Sequence, residues 1–117
     1  GAKKVTFIEQ EKNATSILKK NLIQLSIVNQ ALIINNRIEN VLKTQKGKFN
    51  IFFLDPPFAD NTFIQNLDLI KKNKIYKKKH IVIIHREKLM DDNLNNFIDT
   101  LNVKKYGRSK IIFGVFN

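Results

Sequence analysis

The chain has no cysteine and no tryptophan, and only four glycines and two prolines among its 117 residues. The absence of cysteine excludes disulfide scaffolds, thiolate zinc sites and cysteine nucleophiles. No apolar run approaches the roughly 20 residues of a membrane-spanning helix, and the first residues do not read as a signal peptide. We therefore expect a cytoplasmic protein, and the length is that of one domain.

Acidic residues are scarce beside basic ones, because 10 Asp and Glu stand against 21 Lys and Arg, for a formal net charge of +11. Such a balance favours an anionic partner, and nucleic acid is the commonest one. The basic set is 18 Lys and 3 Arg, alongside 15 Asn and 17 Ile. An AT-rich genome over-produces those residues whatever the function, so the charge leaves both explanations open.

Short β-rich runs alternate with apolar residues at helical spacing from end to end. The run at 49–54 is apolar at nearly every position, which predicts a strand covered on both faces. The alternation, with a terminal hairpin around Gly107, predicts an α/β three-layer sandwich with a mainly parallel sheet. The predicted strands are 5–8, 27–28 with 31–34, 49–54, 80–85, 103–106 and 110–116, and the predicted helices cover 14–25, 38–42, 63–70 and 94–101.

Several charged residues have local interpretations. Asp60 is predicted to cap the helix that follows it, and residues 71–79 form a lysine-rich connector that could touch RNA phosphates or simply be solvated. Residues 86–88 are predicted to begin a surface helix. His80 and His85 fall on opposite faces of one strand, which argues against a shared metal site, and no metal is expected.

Two acidic residues follow predicted strands, at the end of the sheet where ligands bind in open α/β folds. Glu9 follows the first strand, where a carboxylate can accept both hydroxyls of a ribose or simply cap the next helix. Asp55 opens the segment 55–58 (DPPF) after the third strand. Proline carbonyls and a carboxylate form a rigid set of acceptors that suits an exocyclic amine, with Phe58 stacked on the base. The alternative is a capped Pro-Pro turn with a core phenylalanine.

Three segments together resemble the RsmD-type 16S rRNA guanine-N2 methyltransferases, which use S-adenosylmethionine. These segments are 4–9 (KVTFIE) with the helix after it, 52–58 (FFLDPPF) and 106–113 (YGRSKIIF). The resemblance implies a Rossmann-like class I methyltransferase fold and a guanine amine in 16S rRNA or the 30S particle as the substrate. It also implies that Glu9 holds the cofactor ribose, with Gln10 beside it and Asn36 near the adenine.

For catalysis, the resemblance implies that Asp55 and the Pro56 carbonyl accept hydrogen bonds from the amine and turn its lone pair toward the sulfonium methyl. Pro57 completes the rigid turn, and Phe58 stacks on a base taken out of its helix. No general base is needed, since the nitrogen can lose its proton after the methyl arrives, and positioning supplies most of the rate.

The sequence departs from the family pattern because none of its four glycines forms a glycine-rich loop for the cofactor. We therefore expect a domain, 1–117, that lacks the first strand and that loop, a truncated piece of a larger enzyme. The missing strand would lie between the strands ending at Glu9 and Leu54. The gap could be closed by rearrangement, by strand exchange within a homo-oligomer, or by a separate fragment.

Two other functions remain open. One is a DNA or protein amino-methyltransferase, because such enzymes share an Asp/Asn-Pro-Pro-aromatic motif. The other is a non-catalytic RNA-binding module, whose RNA affinity would fall steeply with salt without any need for the cofactor.

Overall fold

The computed structural model describes residues 3–57 and 60–117, and the chain divides into two compact units, Gly1–Thr44 and Gln45–Asn117. The first unit contains β1 (Val5–Glu9), α1 (Lys12–Gln24), a 3₁₀ turn at Val28–Gln30, β2 (Ala31–Asn35) and α2 (Ile38–Thr44). The single partial domain expected from the sequence stays a prediction.

In the first unit β1 and β2 form a parallel pair, in register from Val5 opposite Ala31 to Glu9 opposite Asn35. The helix α1 contacts both strands and buries Leu22. The prediction that Ile27 and Val28 extend the second strand is wrong, since the 3₁₀ turn begins at Val28 and β2 begins after it.

Among its described residues the second unit holds a four-stranded sheet and one helix. Its elements are β3 (Phe49–Leu54), α3 (Phe63–Asn73), β4 (Tyr76–Glu87), β5 (Ile98–Tyr106) and β6 (Ser109–Phe116). The strands lie in the order β3-β4-β6-β5; β3 and β4 are parallel, and the other two pairings are antiparallel. The alternation of strands and helices with a terminal hairpin agrees with the predicted α/β class.

The core of this unit forms between α3 and one face of the sheet, because apolar residues recur at helical spacing on α3 and at every second position on the strands. The opposite face of β3 is open, with Ile51 60% and Phe53 64% exposed. The prediction that this strand is covered on both faces is therefore wrong. Buried here are Phe63, Leu67, Ile70, Ile75, Val82, Ile84, Leu94, Ile98, Ile112 and Phe116.

The predicted helix over 94–101 is wrong. Ile98 N–H bonds the Leu94 carbonyl at 3.0 Å, which makes a single helical turn, and the chain then enters β5 at Ile98. Leu101 is 64% exposed, so the fourth residue of the helical pattern takes no part in the core. Pairing with β6 supplies a continuous set of backbone hydrogen bonds that this asparagine-rich segment would not gain as an isolated helix.

Strand β4 is longer than predicted and replaces two other expected features. Lys77, Lys78 and Lys79 lie within it and are exposed, so only part of the basic run 71–79 connects two elements. Residues 86 and 87 end the strand rather than beginning a surface helix. Gly107, with φ +55°, and Arg108 turn the predicted hairpin between β5 and β6.

Candidate active site

The segment that follows β3 lies beside the end of β4. Because β3 and β4 are parallel and Leu54 pairs with Ile84, the next residue of each strand comes to the same edge of the sheet. Asp55 and His85 meet there, with Asp55 Oδ1 and His85 Nδ1 2.8 Å apart. Their side chains are 61% and 29% exposed, so the pair is accessible to solvent.

Asp55 retains acceptor capacity beyond this contact. No described residue donates a hydrogen bond to its Oδ2, and none donates to the Pro56 carbonyl. A proline has no N–H, so the described part of the segment offers acceptors to an incoming group. These two oxygens can accept the two N–H groups of a primary amine.

The sequence predicts that both proline carbonyls are free to accept hydrogen bonds, but the Pro57 carbonyl is already occupied. Its carbonyl accepts the Asp60 N–H at 3.0 Å and Arg86 Nη1 at 3.2 Å. Asp55 Oδ2 and the Pro56 carbonyl therefore keep free acceptor capacity among the described residues, while Pro57 fixes the segment to the body of the unit. The predicted stacking residue, Phe58, lies outside the described residues.

Arg86 is the residue that sequence reasoning missed. It is 1% exposed, and its guanidinium donates from Nε to Asp92 Oδ2 at 2.7 Å and from Nη2 to Oδ1 at 3.1 Å. The guanidinium carbon also lies 4.6 Å from the Phe63 ring centroid. One signal was available, since Arg86 continues the alternation in which Val82 and Ile84 face the core.

A second acidic residue fixes the chain just beyond the segment. Asp60 Oδ1 accepts the Thr62 hydroxyl at 2.6 Å and the Thr62 N–H at 2.7 Å. The hydroxyl hydrogen bond lowers the pKa of Asp60 most, the backbone hydrogen bond adds to it, and the charge of Arg86 contributes in the same direction. The N-cap of α3 is Thr62 rather than Asp60 as predicted.

The predicted cofactor residues lie in the first unit, where β1 and β2 end. Glu9 Oε1 accepts the Glu11 N–H at 3.1 Å. The Asn35 amide donates at 3.1 Å to the backbone carbonyls of Glu9 and Gln10, which ties the two strand ends together. A shallow polar depression opens at this edge, lined by Gln10, Glu11, Asn35, Asn36 and Arg37.

These residues fit one part of S-adenosylmethionine. No described residue donates to Glu9 Oε2, so that oxygen can accept a ribose hydroxyl. Asn36 uses Oδ1 to accept the Arg37 N–H and one Asn40 amide hydrogen, which leaves its own amide as the donor toward an adenine. The donor set therefore suits a nucleoside, while the sequence offers no glycine-rich loop for the amino-acid moiety.

Within residues 3–57 and 60–117 there is no group of three or more His, Asp or Glu side chains that could hold a metal ion. No helix in that part of the chain is long and apolar enough to cross a membrane.

Sequence comparisons relate this chain to ribosomal RNA methyltransferases. The family model described as Conserved hypothetical protein 95 matches residues 1–115. Ribosomal RNA small subunit methyltransferase D of Buchnera aphidicola subsp. Baizongia pistaciae is 36% identical over 110 residues, which are 92% of this chain and 54% of that protein. The Haemophilus influenzae protein of the same name is 38% identical over 90 residues, 74% of this chain and 47% of its own length. This chain thus spans about half the length of these curated relatives.

Solved structures agree with the predicted fold class. A methylase from Haemophilus influenzae matches with a TM-score of 0.79 and 31% identity, over 96% of this chain and 71% of that one. A conserved hypothetical protein of Streptococcus pyogenes matches with a TM-score of 0.86 and 21% identity, over 98% and 72% of the two chains. The prediction of a Rossmann-like α/β fold with a C-terminal antiparallel hairpin is confirmed.

Proposed function

This chain belongs to the RsmD-type methyltransferase family described as Conserved hypothetical protein 95, and we propose that it takes part in methylating the N2 amine of a guanine in 16S ribosomal RNA. The observation that carries the proposal is the pair of acceptors at the end of β3, Asp55 Oδ2 and the Pro56 carbonyl. A guanine N2 amine has two N–H groups to donate. The substrate would place the protein in the cytoplasm.

The two acceptors would contribute to catalysis mainly by orienting the substrate amine. When both amine hydrogens are held by Asp55 and Pro56, the nitrogen lone pair is directed away from these oxygens. S-adenosylmethionine supplies the electrophilic methyl group when it is bound. Fixing the amine in one orientation lowers the entropy cost of reaching the reactive geometry, which is the main source of rate in a reaction that needs no strong base. Pro57, fixed by Arg86, keeps the acceptor pair rigid, and Phe58 would stack on the base.

The cofactor would be held at the ends of β1 and β2. Glu9 would accept the ribose hydroxyls, Gln10 would border the same pocket and Asn36 would donate to the adenine. Among the described residues β1 pairs only with β2 and β3 only with β4, so each has one unpaired edge. We propose that further polypeptide, from the same chain or from a second copy, completes the cofactor pocket.

Methyl transfer tests this function directly. The chain, with and without any sequence that flanks it in its coding region, is incubated with methyl-labelled S-adenosylmethionine and either 16S rRNA or 30S particles. Digestion and mass spectrometry identify the methylated nucleoside. We expect N2-methylguanosine, and we expect Asp55→Ala to lower kcat about 100-fold, since the preorganised carboxylate acceptor is lost.

The matched control is Asp91→Ala, which changes an exposed aspartate on a loop of the same unit and should leave the rate unchanged. In parallel incubations, label transferred to DNA or to a glutamine-containing peptide, with none in 30S material, would identify the related amino-methyltransferases instead. Salt-sensitive RNA binding without any transfer would identify a non-catalytic binding module, for which exposed Lys77, Lys78 and Lys79 are candidate phosphate contacts.

A further inference from the structure

The end of β4 contacts the segment after β3 with two consecutive residues. His85 and Arg86 point to opposite faces of the strand, as neighbours in a strand must. His85 contacts the Asp55 carboxylate, and Arg86 contacts the Pro57 carbonyl. Pro56 therefore lies between two residues that β4 holds in place, Asp55 on the solvent side and Pro57 on the core side.

The contact between His85 and Asp55 determines where the imidazole proton lies. An ionised carboxylate can only accept hydrogen bonds, so the 2.8 Å contact requires the proton on Nδ1. A neutral His85 is then the Nδ1–H tautomer, with Nε2 as its acceptor. The contact occupies Oδ1 of Asp55 and leaves Oδ2 for another donor.

We propose that His85 is a positioning residue that holds the Asp55 carboxylate in the orientation needed to accept the substrate amine; this rests on the proposed function of Asp55. Asp55 is 61% exposed, and a carboxylate so open to water would otherwise rotate about its side-chain torsions. With Oδ1 held by His85, the carboxylate plane is fixed. His85 acts through Asp55 and needs no contact with the substrate.

The tautomer of His85 tests the geometry without any enzyme assay. Nitrogen-15 NMR of the chain, recorded in alkaline buffer at a pH where the spectra show neutral imidazoles, distinguishes the two tautomers. We expect Nδ1–H at His85 in the wild type and a lower Nδ1–H fraction in Asp55→Ala, which has no acceptor at this place. The proton on Nε2 of wild-type His85 would overturn the proposal.

His80 provides an internal control in the same spectra. Its Nε2 accepts the Phe116 N–H at 2.9 Å, so its Nδ1 carries the proton and donates to the Lys77 carbonyl at 2.7 Å. His80 should therefore show Nδ1–H in both the wild type and Asp55→Ala. A change at His80 as well would mean that Asp55→Ala perturbs the fold. The tautomer of His85 in the wild type would then be the result that supports or overturns the proposal.

Kinetics separate positioning from a merely structural role. His85→Leu removes the donor, and we expect kcat to fall by up to about 100-fold with KM for RNA unchanged. His85→Asn places an amide N–H near the position of Nδ1 and should restore most of kcat. Wild-type kcat in His85→Leu, or equal losses in the two variants, would overturn the proposal. If the wild type methylates no guanine, the proposed function fails and the positioning role fails with it, while the tautomer still shows whether His85 holds Asp55.

Discussion

Arg86 and Asp92 form a bidentate ion pair whose side chains are 0% and 4% exposed. The pair joins the end of β4 to the loop that leads to β5, and its third hydrogen bond reaches the Pro57 carbonyl. Arginine suits this place because its planar guanidinium can donate to a carboxylate with two N–H groups and to a carbonyl with another. The candidate active segment is therefore supported from the core by a charge pair.

Breaking this pair should destabilise the chain strongly. Arg86→Met leaves the Asp92 carboxylate buried without its partner, and we expect the free energy of unfolding to fall by about 3–5 kcal/mol. Asp92→Leu leaves the Arg86 guanidinium buried without its charged partner and should lower the free energy of unfolding by a similar amount. Urea denaturation followed by circular dichroism measures both.

The double variant Arg86→Met/Asp92→Leu is the control for the ion pair. It removes both charges together, so its loss should be clearly smaller than the sum of the single losses. Losses that simply add would show that the two residues stabilise the fold independently of each other.

Gly114 is required by the close approach of β5. A Cβ at this position would lie 2.9 Å from the Asp99 backbone carbonyl oxygen and 3.1 Å from Ile98 Cδ1. Because backbone cannot yield as a side chain can, Gly114→Ala should lower the free energy of unfolding by about 1–3 kcal/mol. Gly47→Ala is the control, since its Cβ meets only the Gln45 side-chain amide. Equal stability of the two variants would contradict the predicted clash.

Asp60 should make the free energy of unfolding depend on pH in the acidic range. Its pKa is lower in the folded chain than its ordinary value, chiefly through the Thr62 hydroxyl, so the folded state favours the ionised form. The contribution is present above the ordinary aspartate pKa of about 3.9 and is lost as the pH falls through the lowered folded pKa. The stability advantage of wild type over Asp60→Asn should thus be constant near neutral pH and shrink below about pH 4.

Chemical denaturation at a series of pH values measures this difference. Thr62→Val removes the hydroxyl donor and keeps the backbone donor, so it should reduce the acid-dependent part without abolishing it. An advantage over Asp60→Asn that grows on acidification would be inconsistent with a lowered pKa at Asp60.

Cofactor binding should depend on Glu9. Calorimetric titration of S-adenosylhomocysteine should show Glu9→Gln binding about 10- to 100-fold more weakly, since a charged hydrogen bond to a ribose hydroxyl is lost. Glu39→Gln, on α2 of the same unit, is the control and should bind like wild type. Equal affinity of the two variants would show that Glu9 does not contact the cofactor.

The mass of the same sample in solution reports how the pocket is completed. Binding by a species of twice the chain mass would support strand exchange between two copies. A monomer that binds nothing would assign cofactor binding to additional polypeptide.

Local sequence patterns were sufficient to predict the positions of several elements. The apolar run at 49–54 and the two prolines after it predicted β3 and its end to the residue, because proline cannot continue a strand. Gly107 predicted the hairpin turn. The position of Asp55 at a strand end followed from the same pattern and needed no long-range information.

Where residues from distant parts of the chain compete, local pattern was insufficient. Leu94, Phe97, Ile98 and Leu101 have helical spacing, yet pairing with β6 makes the second half of this region, from Ile98 onward, a strand. Arg86 was predicted to be at the surface, since a charged residue is buried only when a partner is available. Its partners Asp92, Pro57 and Phe63 are supplied by three other segments. The contact of His85 with Asp55 likewise exists because parallel pairing brings two strand ends together, and strand pairing depends on the whole sheet.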